Sequence, residues 1–281
     1  MGRDNLLRAM ERKMSLDVRL FGRIGHYPYM YEDVAAQPSP IHPKPCYLLA
    51  DSRLLFERSA DGARFLDDVV MNANSKRPSV AYIGASNGDN RSFYHDIFLP
   101  AFESVDVGER RPIVSRPSVD DLLFLAHADI ILLAGGSVEE GWNIFEGNGL
   151  RSLIAQKYRG GALLLGISAG AVQLGCGGLT KNWSAVIPTF GFLGLYVGVH
   201  EEREDWKSLR LALSLQNPPV RGIGIPSDGG AMFYGGDLYP IRKPLFEIEI
   251  GVMGRREGEI YPYRFPSEVV KLRDKSARNL N

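Results

Sequence analysis

Residues 161 to 170 read Gly-Ala-Leu-Leu-Leu-Gly-Ile-Ser-Ala-Gly, an apolar run that reaches Ser168 between Gly166 and Gly170 and continues into Ala169, Ala171 and Val172. The pattern is that of a buried strand turning sharply into a helix, a G-x-S-x-G elbow that projects the serine hydroxyl at the tip of a parallel sheet. Glycines on either side let backbone and substrate approach closely. The same letters also spell a glycine-softened turn between a core strand and a helix, a reading that leaves the choice of serine to chance.

The residues before the elbow set the fold class. Strand-like apolar runs at Cys46 to Ala50, Val80 to Ala85, Ile113 to Val114, Ile130 to Ala134 and Ala162 to Leu165 alternate with amphipathic stretches near 61–74, 91–105, 118–127 and 138–158. That rhythm is βαβ, and it predicts a three-layer α/β sandwich with a mostly parallel central sheet and ligands at the carboxyl ends of its strands. After Ser168, Gly222 to Ile225, Ala231 to Tyr234 and Leu245 to Ile250 read as short strands between glycine-rich turns, an antiparallel C-terminal extension. Residues 1–20 carry a weak helical pattern suited to docking or to forming a homodimer, and the prolines of 35–45 read as an extended linker. The expected division is thus an N-terminal extension over 1–45, a catalytic-type domain over 46–265 and a charged tail over 266–281.

Composition narrows the function classes. Lysine plus arginine equal aspartate plus glutamate, 33 each, so no global field draws the chain to nucleic acid or to an anionic membrane. No apolar run approaches a membrane span and the N-terminus lacks the apolar core of a signal peptide, which makes a cytoplasmic protein the expectation. Cys46 and Cys176 have neither metal-ligand nor disulfide-framework spacing, and read as buried small hydrophobes. The P-loop pattern and the full dinucleotide fingerprint are both missing from the sequence, and no cofactor is expected.

A serine hydroxyl needs a base, usually a histidine held by a carboxylate. Of five histidines, His26 and His42 fall in the N-terminal extension and linker, and His95 and His127 fall in helical stretches leading to other strands. His200 alone follows the elbow, at the end of the apolar run Val197-Gly198-Val199. Between Ala169 and Val199 the sequence has no aspartate or glutamate, which excludes the order Ser…Asp…His of the α/β-hydrolases. Asp228, in the turn after Gly222-Ile223-Gly224-Ile225, is the leading candidate for the acid; Glu201 and Glu202 compete. The turn Ala134-Gly135-Gly136-Ser137, ending another apolar strand, exposes amides, so Gly136 and Ala169 are candidate oxyanion donors.

Taken in order, Ala134-Gly135-Gly136, Gly166-Ile167-Ser168-Ala169-Gly170-Ala171, His200 with the basic series Arg203, Lys207 and Arg210, and Gly222-Ile223-Gly224-Ile225 resemble the cyanophycinase and aspartyl dipeptidase (peptidase E) family of serine peptidases, over roughly residues 46 to 250. The resemblance implies a class I glutamine amidotransferase-like fold with serine in place of the amidotransferase cysteine. It also implies cleavage of a peptide or isopeptide bond next to an aspartyl residue, with Ser168 as nucleophile, His200 as base and backbone donors at Gly136 and Ala169; Arg203, Lys207 or Arg210 are candidates to hold a substrate carboxylate. The chain departs from the pattern around the base, where Gly198-Val199-His200-Glu201 replaces Asp-Gln-His-Phe. It departs again after the G-I-G-I strand, where Pro226-Ser227-Asp228 replaces Asp-Glu-Asp and Ser227 stands at the glutamate position. Two other readings stand beside it: a catalytically silent binding module using the same cleft, suggested by the altered acid position and the N-terminal extension, and an amidotransferase-like subunit that handles an amide, disfavoured because the elbow carries no thiol and Cys176 lies eight residues later.

Overall fold

The structure, a computed structural model, describes residues 44–58, 62–73 and 75–262. The expected N-terminal helix, most of the proline-rich linker, His26, His42 and the charged tail lie outside the described residues.

Seven strands form the central sheet in the order β11-β10-β1-β5-β4-β2-β3. Five of them, β1 (Cys46–Leu49), β2 (Val80–Ile83), β3 (Arg110–Ile113), β4 (Ile130–Leu133) and β5 (Leu163–Ile167), are parallel to their neighbours, and β10 (Gly230–Tyr234) and β11 (Asp237–Ile241) add an antiparallel edge beside β1. Because successive residues of a strand face opposite ways, these near-continuous apolar runs feed two cores at once. Cys46, Leu48, Ala81, Ile83, Ile131, Leu133 and Leu164 pack on one face. Tyr47, Leu49, Tyr82, Ile130, Leu132, Leu163 and Leu165 pack on the other. Helices α3 (Val119–His127), α4 (Val138–Asn148), α5 (Leu150–Arg159) and α6 (Ala169–Leu174) cover the first face; α1 (Phe65–Asn72) and α2 (Leu99–Glu103) cover the second. The predicted three-layer sandwich is present.

Three local expectations change. The stretch 138–158 is two helices rather than one, divided at Gly149, whose φ of +84° no longer fits an α-helix. The stretch 91–105 opens with a π-helical segment, Phe93–Phe98, before α2. The G-I-G-I strand does not extend the main sheet. It is β9 (Val220–Ile225) of a second sheet, β13-β12-β9-β8, in which it runs parallel to β8 (Tyr196–Val199) and antiparallel to β12 (Leu245–Gly251), with β13 (Gly254–Ile260) at the edge. The alternation of β8 and β9 explains this layer. Val197, Val199, Ile223 and Ile225 join the core of the main domain. Gly198, Gly222 and Gly224 face α7 (Lys207–Ser214) and the residue before it, where added methyls would run into Leu209, Leu213 and Trp206. A hairpin, β6 (Gly177–Leu179) and β7 (Val186–Pro188), connects α6 to β8.

Candidate active site

β5 lies at the centre of the sheet between β1 and β4, and Ser168 is the residue that leaves its carboxyl end. Its backbone sits at φ 50°, ψ −110°, a conformation costing an ordinary L-residue about 1–3 kcal/mol. It is fixed between the strand and the helix: the Ser168 N–H donates to the Leu49 carbonyl at 2.9 Å, and α6 begins at the next residue. The turn is tight enough that a methyl on Gly170 would overlap the Leu133 carbonyl oxygen, and one on Gly166 would lie 2.5 Å from the Gly170 carbonyl. The Gly-x-Ser-x-Gly spelling is therefore a steric requirement of this strand–turn–helix.

His200 reaches the same point from the second sheet. It leaves β8 with φ 47° and donates its N–H to the Ile225 carbonyl at 2.9 Å, continuing the parallel pairing of β8 with β9. The imidazole Nε2 lies 3.0 Å from Ser168 Oγ. This is hydrogen-bond distance for a base and the hydroxyl it activates. The other described histidines are engaged elsewhere: His127 Nδ1 contacts the Leu123 carbonyl at 2.8 Å, and the His95 ring packs edge-on against Tyr94.

The Gly135-Gly136 turn follows β4, next to β5. A methyl on Gly135 would be 3.3 Å from Ser168 Cβ, which puts this backbone directly beside the hydroxyl. Gly136, at φ +130°, passes so close to the Ser86 carbonyl that a Cβ has no room, and the following Ser137 N–H donates to that same oxygen at 2.7 Å. Among the described residues, no hydrogen bond occupies the N–H of Gly136 or of Ala169. Both amides are therefore candidate oxyanion donors.

A buried clamp holds this turn against the helix of the elbow. Gln173 of α6 is fully buried; its Nε2 donates to Ser86 Oγ at 3.0 Å and to the Val138 carbonyl at 3.1 Å. In the sequence, Gln173 reads only as a polar residue on a short helix, and nothing short of the packing reveals it. Gln173→Leu fills the same space and strands a hydroxyl and a carbonyl. It should lower unfolding stability by about 1–3 kcal/mol, measured by urea denaturation.

Among the described residues, none of the three candidate carboxylates is hydrogen-bonded to His200. Asp228, expected beside the imidazole, is paired instead with Arg53 and, at 3.6 Å, with Lys243. It is also anchored by its own N–H, which donates to Asp51 Oδ2 at 2.8 Å. The Arg53 hydrogen bond, then the charges of Arg53 and Lys243, hold its pKa below the usual aspartate value. Its left-handed φ of 61° in the turn closed by Gly229 N–H to the Pro226 carbonyl belongs to this arrangement. The other two candidates are also spent: Glu201 accepts the Ser208 N–H at the start of α7 at 3.1 Å, and Glu202 accepts the Ser227 N–H at 3.2 Å. Among the described residues, no carboxylate is hydrogen-bonded to His200. Asp228→Asn should therefore change kcat by less than about threefold, where losing a triad acid costs about 10⁴; steady-state kinetics separates the two.

Of the basic series after His200, Arg210 is committed to Asp205 and Glu257. Arg203 is exposed on the turn after His200, and Lys207 rests over the Trp183 ring with its ammonium 5.3 Å from the centroid. The two thiols are poor nucleophiles. Burial pushes Cys46 up to about 12, and it raises Cys176 as well. Among the described residues, no cluster of three or more potential metal ligands occurs, and no helix is long and apolar enough to cross a membrane.

Residues 55–199, just over half of the chain, match the model of peptidase family S51. The chain belongs to peptidase family S51. The S51 match covers the elbow and the Gly135-Gly136 turn, and ends one residue before His200. The peptidase YgaJ of Bacillus subtilis (strain 168), itself uncharacterized, is 27% identical over 109 residues, which are 38% of this chain and 47% of that protein, so the chain spans about half the length of this curated relative. The crystal structure of a peptidase from an acI-B1 actinobacterium superposes with a TM-score of 0.57 at 16% identity, covering 79% of this chain and 98% of that one. A protein from Listeria monocytogenes EGD-e described as a candidate peptidase E superposes with a TM-score of 0.55 at 16% identity, covering 71% and 98%. At such identities these structures speak to the fold, and they support the amidotransferase-like α/β sandwich for this S51 chain.

Proposed function

We propose that this S51 member is a cytoplasmic serine peptidase that hydrolyses a peptide or isopeptide bond next to an aspartyl residue of a small substrate. The observation that carries the reading is the 3.0 Å approach of His200 Nε2 to Ser168 Oγ, made by a serine in a strained elbow conformation. Ser168 Oγ attacks the carbonyl carbon as His200 takes its proton. The N–H groups of Gly136 and Ala169 receive the developing oxyanion, and His200 returns the proton to the leaving amine. Water then repeats the sequence on the acyl-enzyme, releasing the acid and the free serine. Among the described residues, Ser168 and His200 are the side chains that carry this chemistry. Arg203 is the cation that stands ready for the acidic side chain of the substrate, since Arg210 is already paired and Lys207 lies over the Trp183 ring.

Amine release from Asp-X dipeptides, their isoaspartyl isomers and matched Asn-X controls tests this reading. Hydrolysis of an aspartyl series but not of the Asn-X peptides, with a higher KM in Arg203→Ala, is the expected result. Equal cleavage of Asp-X and Asn-X would remove the aspartyl preference. That no described carboxylate is hydrogen-bonded to His200 favours one other reading, a catalytically silent module that binds such peptides in the same cleft. Binding of Asp-X peptides with no turnover at any pH would select it.

A further inference from the structure

Gly136 and the start of α4 line a cleft of about 380 Å³, with Gly136, Ser137, Val138 and Glu139 from one segment and Leu179, Thr180, Lys181 and Trp183 from another. The second segment is the loop between β6 and β7. It is built as a rigid piece. Thr180 N–H donates to the Ala185 carbonyl and Trp183 N–H to the Thr180 carbonyl, both at 2.9 Å. The Asn182 carboxamide oxygen accepts from Thr180 Oγ1 at 2.8 Å and from Ser184 Oγ at 2.7 Å. The Lys181 N–H ties the loop to α4 through Glu139 Oε2 at 2.7 Å.

The loop presents Trp183, whose φ is 58°, a left-handed conformation that a bulky side chain rarely adopts. Such strain persists only where the surroundings enforce it, and an observed outlier of this kind points to use. The residue is still 42% exposed although Lys207 lies over the ring, whereas the other two tryptophans, Trp142 and Trp206, are buried. An indole fixed in a hydrogen-bonded loop, on the rim of a cleft shared with a candidate oxyanion amide, is a contact surface prepared in advance.

We propose that this cleft is a substrate subsite that takes an aromatic or bulky apolar side chain flanking the scissile bond, with Trp183 as its stacking wall and Val138 and Leu179 as its sides. The charges in the cleft decide against a basic side chain. Glu139 is occupied by the Lys181 N–H and Glu140 by the Lys181 ammonium, while Lys207 stands over the indole. A cationic side chain would meet the Lys181 and Lys207 ammonium groups with one carboxylate, that of Glu139, beside them, whereas an apolar one covers the exposed indole and the two aliphatic side chains. The proposal rests on the peptidase reading above for the identity of its occupant, and its test is chosen to be independent of turnover.

The test is ligand-observed saturation-transfer NMR on the Ser168→Ala protein with N-acetyl-phenylalaninamide, N-acetyl-lysinamide and N-acetylglycinamide as probes. The expected result is transfer to the phenyl protons well above that to the lysine and glycine probes, abolished by Trp183→Ala and kept by Trp183→Phe. Undiminished transfer in Trp183→Ala, or stronger transfer to the lysine probe, would overturn the proposal. In the otherwise unaltered enzyme, Trp183→Ala should lower kcat/KM about tenfold for peptides with Phe or Leu beside the cleaved bond and leave those with Gly there unchanged. A uniform loss across the series would overturn it equally. Failure of the peptidase reading shows separately, as a wild-type protein that hydrolyses no peptide.

Discussion

Replacing Ser168 by alanine is expected to lower peptide hydrolysis by about four orders of magnitude or more, because it removes the nucleophile itself; knocking out the serine or the histidine of such a unit costs about as much as removing the whole unit. His200→Ala should be nearly as severe, and the double variant no worse than the more damaging single one. A companion variant separates chemistry from folding. At φ 50°, ψ −110°, Ser168 is held where glycine is tolerated better, so Ser168→Gly should be as inactive as Ser168→Ala yet more stable by about 1 kcal/mol, a gain visible in urea unfolding. A Ser168→Gly protein less stable than the wild type would mean that the elbow is not strained.

The second large effect is expected at Gly136, from a residue with no side chain at all. A Cβ there would overlap the Ser86 carbonyl oxygen, and the φ of +130° is closed to alanine. Gly136→Ala must move the turn away from Ser86 and carry its N–H out of line with the carbonyl at Ser168. Loss of one oxyanion donor lowers kcat by about 10² to 10³. Because that hydrogen bond forms fully only in the transition state, KM should change little. The control is Gly147, near the end of α4, where an added methyl meets nothing within 4 Å. Gly147→Ala should leave kcat unchanged and raise stability by about 0.5–1 kcal/mol. Comparable kcat in Gly136→Ala and wild type would show that this turn is not the oxyanion hole.

What the sequence made legible follows from where backbone geometry is written in glycine. The elbow at Ser168 and the turn at Gly136 both need residues without a Cβ, so their positions could be read directly. His200 was found by elimination, since only one histidine follows the elbow. The sheet was legible because buried parallel strands are short, fully apolar and separated by helices. The second sheet was not: its β8 and β9 pair in parallel across a long connection, and their alternating glycines look like turns until α7 is seen packed on them. The partner of Asp228 was not legible, because a carboxylate's partner is a tertiary property. Asp228, Glu201 and Glu202 are all close to His200 in the sequence or the fold, yet ion pairs with Arg53 and Lys243 and backbone N–H groups claim them. Gln173 and Trp183 reverse the usual rule, a polar side chain fully buried and an indole left in solvent, and periodicity signals neither.

Labelling with a fluorophosphonate probe followed by peptide mapping tests the central claim, that Ser168 is a nucleophile activated by His200, without needing to know the substrate. The account predicts one adduct, on Ser168, absent in Ser168→Ala, strongly slowed in His200→Ala and unaffected by Asp228→Asn. An unlabelled wild type, an adduct on another residue, or equal labelling after His200→Ala would contradict it.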